Sequence, residues 1–398
     1  MNNTIEIMPG IFWTGIVDHD LKKFDVIMET EYGTNYNSYI VKGTEKIALI
    51  DTAKESFRDD YIEKLKSIVD ISKIDYIVVN HTEPDHSGCL KSVLELAPNA
   101  LVICTAPAKM NLTSILNGPF NCMIPKADTV IDLGGKTLKF ISAPFLHWPD
   151  TMFTYVAENK ALFTCDAFGC HFATDTVLES KEDGEFLKAQ KYYYEVIMSP
   201  FAKYVIDAIE KLNKENVAID IILPSHGPVL DQNPHETIKR YNDWAMETLG
   251  RKKTNRAAVA YVSCYGYTKL LAEQIAEGLK AEGMETKLMD VSEMSVEGAA
   301  DVLTASSVFA IGSPTVNKDV LKPVWDVLLS LSSLAMKDTK VVAFGSYGWS
   351  GEAVPFMEQR LKELGCDVIS SLKVKFRPIE GDLKQAYELG KTLAQTQK

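Results

Sequence analysis

The sequence predicts a two-domain α/β protein, in which a layered α/β sandwich is followed by a doubly wound parallel sheet. The chain has 398 residues, and this length favours two to three domains over one hydrophobic core. Short β-rich runs with few helices extend to about residue 245, and regular strand-helix alternation follows. We therefore place the domains at 1–250 and 254–398, with the polar, basic stretch 248–256 as the linker.

The first domain contains short apolar runs that are typical of strands and are separated by turns. They are SYIVKG, KIALID, YIVVNH, LVICTA, TLKFISA, MFTYVA and ALFTCD. The stretch RDDYIEKLKSIVD is instead typical of a helix. Because the strands occur in blocks with helices between them, we expect a layered sandwich.

The second domain alternates strands and helices along its whole length. The predicted strands are AAVAYVS, TKLMDV, SVFAIGS, KVVAFGS and DVISS. The helix predicted from Thr268 to Ala281 carries Leu271, Ile275 and Leu279 on one face, and the last helix is predicted to begin at Asp382. Five strand-helix units in one run predict a doubly wound parallel sheet.

Composition excludes several classes of function. The net charge of −12 argues against nucleic-acid binding, because phosphate backbones attract basic surfaces. The seven cysteines form no Cys-x-x-Cys pair, so neither a thiolate zinc site nor a rubredoxin-type iron site is encoded. Scattered thiols, no signal-peptide pattern and no apolar run near the roughly 20 residues that span a bilayer predict a cytoplasmic protein with no membrane partner.

The stretch VVNHTEPDHSG, residues 78–88, places four potential metal ligands within six residues. They are His81, Glu83, Asp85 and His86. Pro84 argues against a helix here, so we expect a strand that ends in a near-extended loop. In such a loop His81, Glu83 and Asp85 project to one side and His86 to the other, which allows contact with two adjacent ions. Imidazole with carboxylate suits iron, zinc or manganese, and the number of carboxylates favours iron.

Three further candidate ligands follow apolar runs elsewhere in the first domain. His147 follows TLKFIS, Asp166 follows ALFTC and His226 follows IDIILPS. We expect these positions to bring all the candidates to one rim of a sheet, where Asp166 is a plausible bridge between two ions. A lone histidine after a strand is more often a hydrogen-bonded structural residue, but these three residues at matching strand ends, together with the cluster at 81–86, favour a metal site. His171 is close enough in sequence to Asp166 to orient a ligand.

These seven residues resemble the ligand pattern of the metallo-β-lactamase superfamily, with Glu83 in place of its usual second histidine. That replacement, together with HWPD at 147–150, is similar to the flavodiiron proteins (A-type flavoproteins). The resemblance covers essentially the whole chain. It implies a metallo-β-lactamase-like αββα sandwich followed by a flavodoxin-like doubly wound parallel sheet. It also implies two non-haem irons, one held by His81, Glu83 and His147 and the other by Asp85, His86 and His226, with Asp166 as the bridge. Many members have Phe-His where this chain has Phe24-Asp25.

Three loops of the second domain follow strands at the edge where a doubly wound sheet binds its ligand. Hydroxyls and backbone amides at a helix N-terminus can hold a phosphate, and aromatic residues can cover a flat ring. The loops in order resemble flavodoxin, which implies FMN, although the first departs from the usual Thr-x-Thr-Gly-x-Thr form. The predicted FMN contacts are Ser263, Cys264, Tyr265, Gly266, Tyr267, Thr268, Ser313, Pro314, Thr315, Asn317, Ser346, Tyr347, Gly348, Trp349, Ser350 and Gly351.

A flavin beside two irons predicts a reductase of a small, electron-accepting gas, because metals about 3.5–4 Å apart can bind a diatomic molecule together. The resemblance implies reduction of O2 to water and of NO to N2O. It also implies a rubredoxin-type donor and a head-to-tail homodimer or a dimer of dimers. We expect His171 and Tyr194 to act beside the metals. The alternatives are a dinuclear zinc hydrolase with a flavodoxin appendage, and a scaffold joined to an electron carrier.

Overall fold

The structure is a computed structural model that describes residues 5–25, 28–182, 184–251 and 254–397. The chain divides into two compact units, Met1–Met246 and Glu247–Lys398. The predicted linker differs from what is observed, because residues 248–251 continue the helix Pro234–Arg251 and Arg256 already begins a strand. Positions 252 and 253 of that linker lie outside the described residues.

The first unit contains two β-sheets. One has seven strands, in the spatial order Ile5–Met8, Ile11–Trp13, Tyr39–Lys42, Ile47–Ile50, Tyr76–Val78, Leu101–Ile103 and Cys122–Met123. The other has five strands, in the order Val130–Asp132, Thr137–Ser142, Met152–Val156, Ala161–Cys165 and Ile221–Pro224. Two small pairs, Ile16–Asp18 with Thr34–Tyr36 and Lys23–Phe24 with Met28–Glu29, complete the strands described in this unit.

One hydrophobic core joins the two sheets of the first unit. Trp13 and Val41 of the seven-stranded sheet belong to the same buried cluster as Leu138 and Phe163 of the five-stranded sheet. The two sheets therefore pack face to face, and this confirms the predicted sandwich. The α-helices of this unit are Arg58–Ile68, Pro84–Ser87, Leu90–Leu96, Ala106–Leu116, Phe186–Tyr193, Ala202–Lys214 and Pro234–Arg251. A π-helical turn, Tyr194–Met198, follows the fifth of these.

The second unit is built on a parallel sheet of five strands. Their spatial order is Glu285–Asp290, Arg256–Tyr261, Val308–Gly312, Lys340–Tyr347 and Asp367–Lys375. The strand that comes first in the chain lies second in the sheet, so the connections reverse direction beside it. This order confirms the predicted doubly wound topology.

Helices cover both faces of this parallel sheet. Val259 and its alternate neighbours pack with the helices Tyr267–Ala281 and Glu380–Gln395, whereas Ala258 and Ala260 face the other side. Because both faces of each central strand are buried, these strands are apolar throughout. The remaining α-helices described are Val296–Thr304, Lys322–Ser330, Ser333–Met336 and Ala353–Glu363. Within the described ranges, no helix combines the length and apolar character needed to cross a membrane.

We predict that Gly390→Ala destabilises the second unit. A Cβ atom at Gly390 would lie 2.1 Å from the carbonyl oxygen of Ile275 on the packed helix. The backbones of two helices are in contact there, so the added methyl group must push the helices apart. We expect a loss of about 1–3 kcal/mol in the free energy of unfolding. Urea unfolding of the full chain, followed by circular dichroism, measures the loss. Gly381→Ala, in the same helix but with open space around it, is the control and should keep or raise stability. Equal midpoints for the two variants would contradict this packing.

Candidate functional site

The candidate ligands come from the ends of two sheets. His81 follows the strand Tyr76–Val78 of the seven-stranded sheet. Asp166 and His226 follow Ala161–Cys165 and Ile221–Pro224, which are parallel neighbours in the five-stranded sheet. The expectation that all ligands lie at one rim of a single sheet is therefore wrong. Because the sheets pack face to face, strand ends from both of them meet at the site.

The segment that carries four ligands is also less extended than its sequence predicts. Pro84–Ser87 is a short helix with proline at its first turn. Proline is favoured at that position, since its missing N–H would have no partner inside the helix. The prediction of a near-extended loop is thus wrong. Asp85 and His86, consecutive on this turn, face the same group of ligands rather than opposite sides.

Four of the predicted ligands form a first cluster around the Oε2 atom of Glu83. That atom lies 2.9 Å from Nε2 of His147 and 3.2 Å from Nε2 of His81. Both imidazole nitrogens lie 3.6 Å from Oδ2 of Asp166. One ligand atom from each of the four residues falls within 4.8 Å of all the others, which is the spacing that a single bound ion requires.

A second cluster contains Asp85, His86 and His226. Nε2 of His226 lies 3.0 Å from Oδ2 of Asp85, and Nε2 of His86 lies 3.3 Å from Oδ1 of Asp85. Oδ1 of Asp166 lies 3.0 Å from Nε2 of His86 and 3.5 Å from that of His226. The two oxygens of Asp166 thus face different clusters, and this is the geometry of a carboxylate that bridges two ions.

Cys165 also approaches this group, with His86 and Asp166 as its neighbours. Burial raises the pKa of the Cys165 thiol well above its ordinary value, even with His86 close by. The thiolate rather than the thiol binds metals, so the neutral thiol is a poor competitor for the imidazoles and carboxylates.

Several buried polar atoms of the site lack a hydrogen-bond partner among the described residues. Among the described residues, both carboxylate oxygens of Asp85, Nε2 of His86 and Oδ2 of Asp166 accept or donate no hydrogen bond. Asp166 is only 1% exposed. Burial by itself would raise the pKa of Asp166, but the imidazoles of His86, His81 and His147 hold it well below its ordinary value. Bound cations would satisfy the buried carboxylate oxygens that receive no hydrogen bond, so the residues present fit a pair of metal ions.

Hydrogen bonds orient two of the imidazoles. Nδ1 of His81 faces the carboxylate of Asp150 at 3.2 Å, and Asp150 also accepts from the backbone and hydroxyl of Thr82. Nδ1 of His226 donates to the backbone oxygen of Asn35 at 2.8 Å. A proton held on Nδ1 leaves the Nε2 lone pair free for a metal. Asp150 was not among the predicted site residues, although the HWPD stretch contained the signal.

The two residues predicted to act beside the metals lie in different surroundings. His171 is buried, and its ring lies 4.7 Å from that of His226. The hydroxyl of Thr34 links them, at 2.9 Å from Nδ1 of His171 and 3.2 Å from Nδ1 of His226. The ring of Tyr194 instead packs on Tyr241 and Trp244.

Tyr193, and not the predicted Tyr194, lies beside His171 and His226. Its ring lies 5.0 Å from that of His171 and 6.2 Å from that of His226. Residues 192–194 are three consecutive tyrosines, and only the phase of the helix Phe186–Tyr193 decides which of them faces the site. The sequence shows the three tyrosines, but the helix phase that selects one of them could not be predicted from it.

Asp25 lies close to two of the ligand carboxylates, Glu83 and Asp85. Partial burial raises the pKa of its carboxyl, and the carboxylates of Glu83 and Asp85 raise it further. Its backbone φ is 47°, in the left-handed region that aspartate tolerates better than most residues. A third acid is therefore close to two ligand carboxylates.

A cavity of about 750 Å³ reaches the site from outside. It is lined by Lys22, Lys23 and Lys188 near its surface and by His171. Nε2 of His171 is buried and has no hydrogen-bond partner among the described residues. The cavity therefore leads to a polar atom of a residue whose ring contacts that of His226 in the second cluster.

The three predicted flavin loops follow neighbouring strands of the parallel sheet. Thr268 is buried, and its Oγ1 lies 2.9 Å from Oγ of Ser346, so the first and third loops are joined. Oγ1 of Thr315 accepts from the backbone N–H of Ala353 at 3.2 Å, which joins the second loop to the helix that follows the third loop, Ala353–Glu363. Gly266, with φ of 80°, precedes the helix Tyr267–Ala281, and the backbone N–H of Lys269 in its first turn donates to Oγ of Ser263 at 3.4 Å.

The outer parts of these loops are open to solvent. Tyr265 is 85% exposed and Trp349 is 82% exposed, as suits rings that cover a ligand. Residues 345–347 belong to the strand Lys340–Tyr347, so the third loop begins later than predicted. Asn317 lies at the turn of the hairpin formed by Thr315–Val316 and Asp319–Val320, with φ of 54°. The predicted contacts of all three loops with FMN stay a prediction.

Comparison with known proteins agrees with this geometry. Residues 34–227 match the family described as ODP family beta lactamase, and residues 259–390 match flavodoxin. A flavo-diiron protein of Clostridium acetobutylicum is 38% identical over 98% of this chain and 99% of its own length. The chain belongs to the flavodiiron protein family.

This flavodiiron protein is also similar to a nitric oxide reductase and to an oxidoreductase of known structure. A nitric oxide reductase of Moorella thermoacetica is 38% identical over 99% of both chains. The structure of rubredoxin oxygen:oxidoreductase from Desulfovibrio gigas matches with a TM-score of 0.72 and 28% identity, over 99% of this chain and 98% of that one. The match extends through both units, and none of these relatives favours the zinc hydrolase alternative.

We predict that Asp166→Asn lowers the metal content by at least half while FMN is retained. One amide oxygen cannot offer an anionic ligand to both clusters, whereas the flavin loops belong to the other unit. Elemental analysis and the flavin absorbance of the purified protein measure the two quantities. Asp207→Asn, on the exposed face of Ala202–Lys214, is the control and should leave both unchanged. Full metal content in Asp166→Asn would contradict the bridging geometry.

Proposed function

We propose that this flavodiiron protein reduces O2 to water, NO to N2O, or both, with electrons from a rubredoxin-type donor. The observation that carries the proposal is the position of Asp166, whose two oxygens face two separate clusters of imidazole and carboxylate. The names of the relatives as nitric oxide reductase and rubredoxin oxygen:oxidoreductase support the same substrates and the same class of donor.

In this proposal His81, Glu83 and His147 hold one iron. The second iron is held by Asp85, His86 and His226, and Asp166 bridges the two. The three carboxylates offset part of the charge of two divalent or trivalent ions, and imidazole with hard oxygen suits iron. The absence of a hydrogen-bond partner for Asp85 among the described residues supports its role as a ligand.

The flavin site is proposed from the three joined loops. The hydroxyls of Ser263 and Thr268 and the amides at the start of Tyr267–Ala281 would hold the phosphate, and Tyr347 and Trp349 would cover the ring. Bound FMN would take electrons from the donor and pass them to the diiron site, where the irons supply the redox chemistry that reduces the gas.

Buried aromatic residues control the surroundings of the second cluster. Phe24 stacks on His171 at 4.3 Å and lies 5.7 Å from His226. Tyr36 lies 5.8 Å from His226, and the ring of Tyr193 lies 6.2 Å from that of His226. These rings keep bulk water away from the cluster, so protons must arrive through polar side chains. His171, at the inner end of the cavity, is placed to pass them inward.

The partners follow from the same proposal. The flavin loops and the metal ligands belong to different units, and a head-to-tail homodimer, alone or as a dimer of dimers, would bring the flavin of one subunit to the irons of its partner. The seven cysteines are free, which fits a reducing cytoplasm. Both the assembly and the location are part of the proposal.

The proposal predicts gas consumption that depends on the donor. Purified protein with two irons and FMN, supplied with reduced rubredoxin, should consume O2 or NO with electron stoichiometries of four per O2 reduced to water and one per NO reduced to N2O. An oxygen electrode and an NO electrode follow the two gases, and gas chromatography identifies N2O. Asp166→Asn that retains FMN should lose the activity. Loaded protein that oxidises rubredoxin with neither gas would overturn the proposal.

We predict that Asp25→His raises turnover of O2 more than turnover of NO, by severalfold. An imidazole in place of the acid beside Glu83 removes a negative charge and adds a proton donor near neutral pH. Reduction of O2 to water takes up four protons, whereas two NO take up two. Steady-state rates with both gases measure the ratio. Asp25→Asn is the matched control, since it removes the charge without adding a donor, and unchanged rates in Asp25→His would exclude a role for this position.

A further inference from the structure

Two cysteines outside the metal and flavin sites lie in contact. The Sγ atoms of Cys104 and Cys122 are 3.4 Å apart, and a disulfide has an S–S distance of about 2.05 Å. Both cysteines are free thiols in this structure. None of the proposed chemistry of the metal or flavin sites uses them.

The positions of the two thiols follow from the register of the seven-stranded sheet. The strands Leu101–Ile103 and Cys122–Met123 are parallel neighbours, and Val102 pairs with Cys122. Cys104 comes two residues after Val102, so its side chain leaves the sheet on the same face as that of Cys122. The backbone N–H of Cys104 donates to the oxygen of Met123 at 3.2 Å, which holds the two segments together at this point.

The two thiols differ in exposure. Cys104 is buried and Cys122 is half-buried, at the edge strand of the sheet. Burial raises the pKa of the Cys104 thiol above its ordinary value, and the neighbouring Cys122 raises it further. An oxidant from solution therefore meets Cys122 first, with Cys104 in reach of the product.

We propose that Cys104 and Cys122 form a peroxide-sensitive thiol pair that is coupled to the metal site. The sulfur of Cys122 attacks one oxygen of hydrogen peroxide, the O–O bond breaks, and the second oxygen leaves as water after protonation. Cys104 then attacks the sulfur of the Cys122 sulfenic acid, so that an S–S bond forms, the S–O bond breaks and a second water leaves. In sum, two thiols lose two electrons and one hydrogen peroxide is reduced to two waters.

Thr105, the residue after Cys104, connects the thiol pair to the metal site. Oγ1 of Thr105 donates to the backbone oxygen of Asp150 at 2.8 Å, and the carboxylate of Asp150 faces Nδ1 of His81. Forming the disulfide must draw the two sulfurs together by more than an ångström. The movement acts on the segment that starts the helix Ala106–Leu116 and therefore on the group that orients His81. The structure contains no thiol pair of this kind near the second cluster among the described residues.

Peptide mapping tests the chemistry directly. Air-oxidised holoprotein is treated with hydrogen peroxide, its remaining thiols are alkylated in denaturant, and its peptides are analysed by mass spectrometry. We expect a linked Cys104–Cys122 peptide that dithiothreitol releases. In Cys104→Ser, a sulfenic-acid trap should label Cys122 instead. Cys366→Ala, which removes a buried thiol of the other unit, should form the link as the wild type does. Full alkylation of both cysteines, with exposed Cys264 oxidised in the same sample, would overturn the proposal.

Turnover tests the coupling, which rests on the proposed function. Peroxide-treated wild-type protein should lose at least half of its gas-reducing rate and regain it with dithiothreitol, whereas Cys122→Ser should keep its rate under the same treatment. A linked peptide with unchanged turnover would overturn the coupling. Untreated protein without activity would instead count against the proposed function, because peptide mapping does not depend on turnover.

Discussion

The burial of three carboxylates beside four imidazoles is the constraint on which the rest of the first unit depends. Glu83, Asp85 and Asp166 leave water on folding, and several of their oxygens receive no hydrogen bond from the described residues. A buried carboxylate without enough partners is costly, so cations bound between the ligands would stabilise this arrangement. Asp166 is central because each of its oxygens serves a different cluster.

Strand ends, one short helix and a few hydrogen bonds hold these ligands in place. The sandwich brings together the ends of strands from two sheets, and the helix Pro84–Ser87 turns two consecutive ligands to one side. Asp150 and the backbone of Asn35 then set the orientation of His81 and His226. The flavin loops have a separate support, since each follows a strand whose two faces are covered by helices. A change in either unit should therefore affect its own cofactor first.

Much of this arrangement could be predicted from the sequence, because ligand type and strand position are local properties. His147, Asp166 and His226 each follow an apolar run, and the central strands of the second domain are largely apolar because both of their faces are buried. The errors have a different origin. The helix at Pro84 depends on proline being favoured in a first helical turn, and the choice of Tyr193 over Tyr194 depends on helix phase. The HWPD stretch marks Asp150, but its contact with His81 depends on packing between the two sheets, which the sequence does not reveal.

The central claim is that one carboxylate joins two irons, and the Mössbauer spectrum of the isotopically enriched, air-oxidised protein, with its iron and zinc content, tests it most directly. The account predicts about two irons per chain, with the ferric ions magnetically coupled into a diamagnetic pair, as expected for metals a few ångströms apart. Zinc in place of iron after growth with ample iron, or ferric ions that behave as isolated paramagnets, would contradict it.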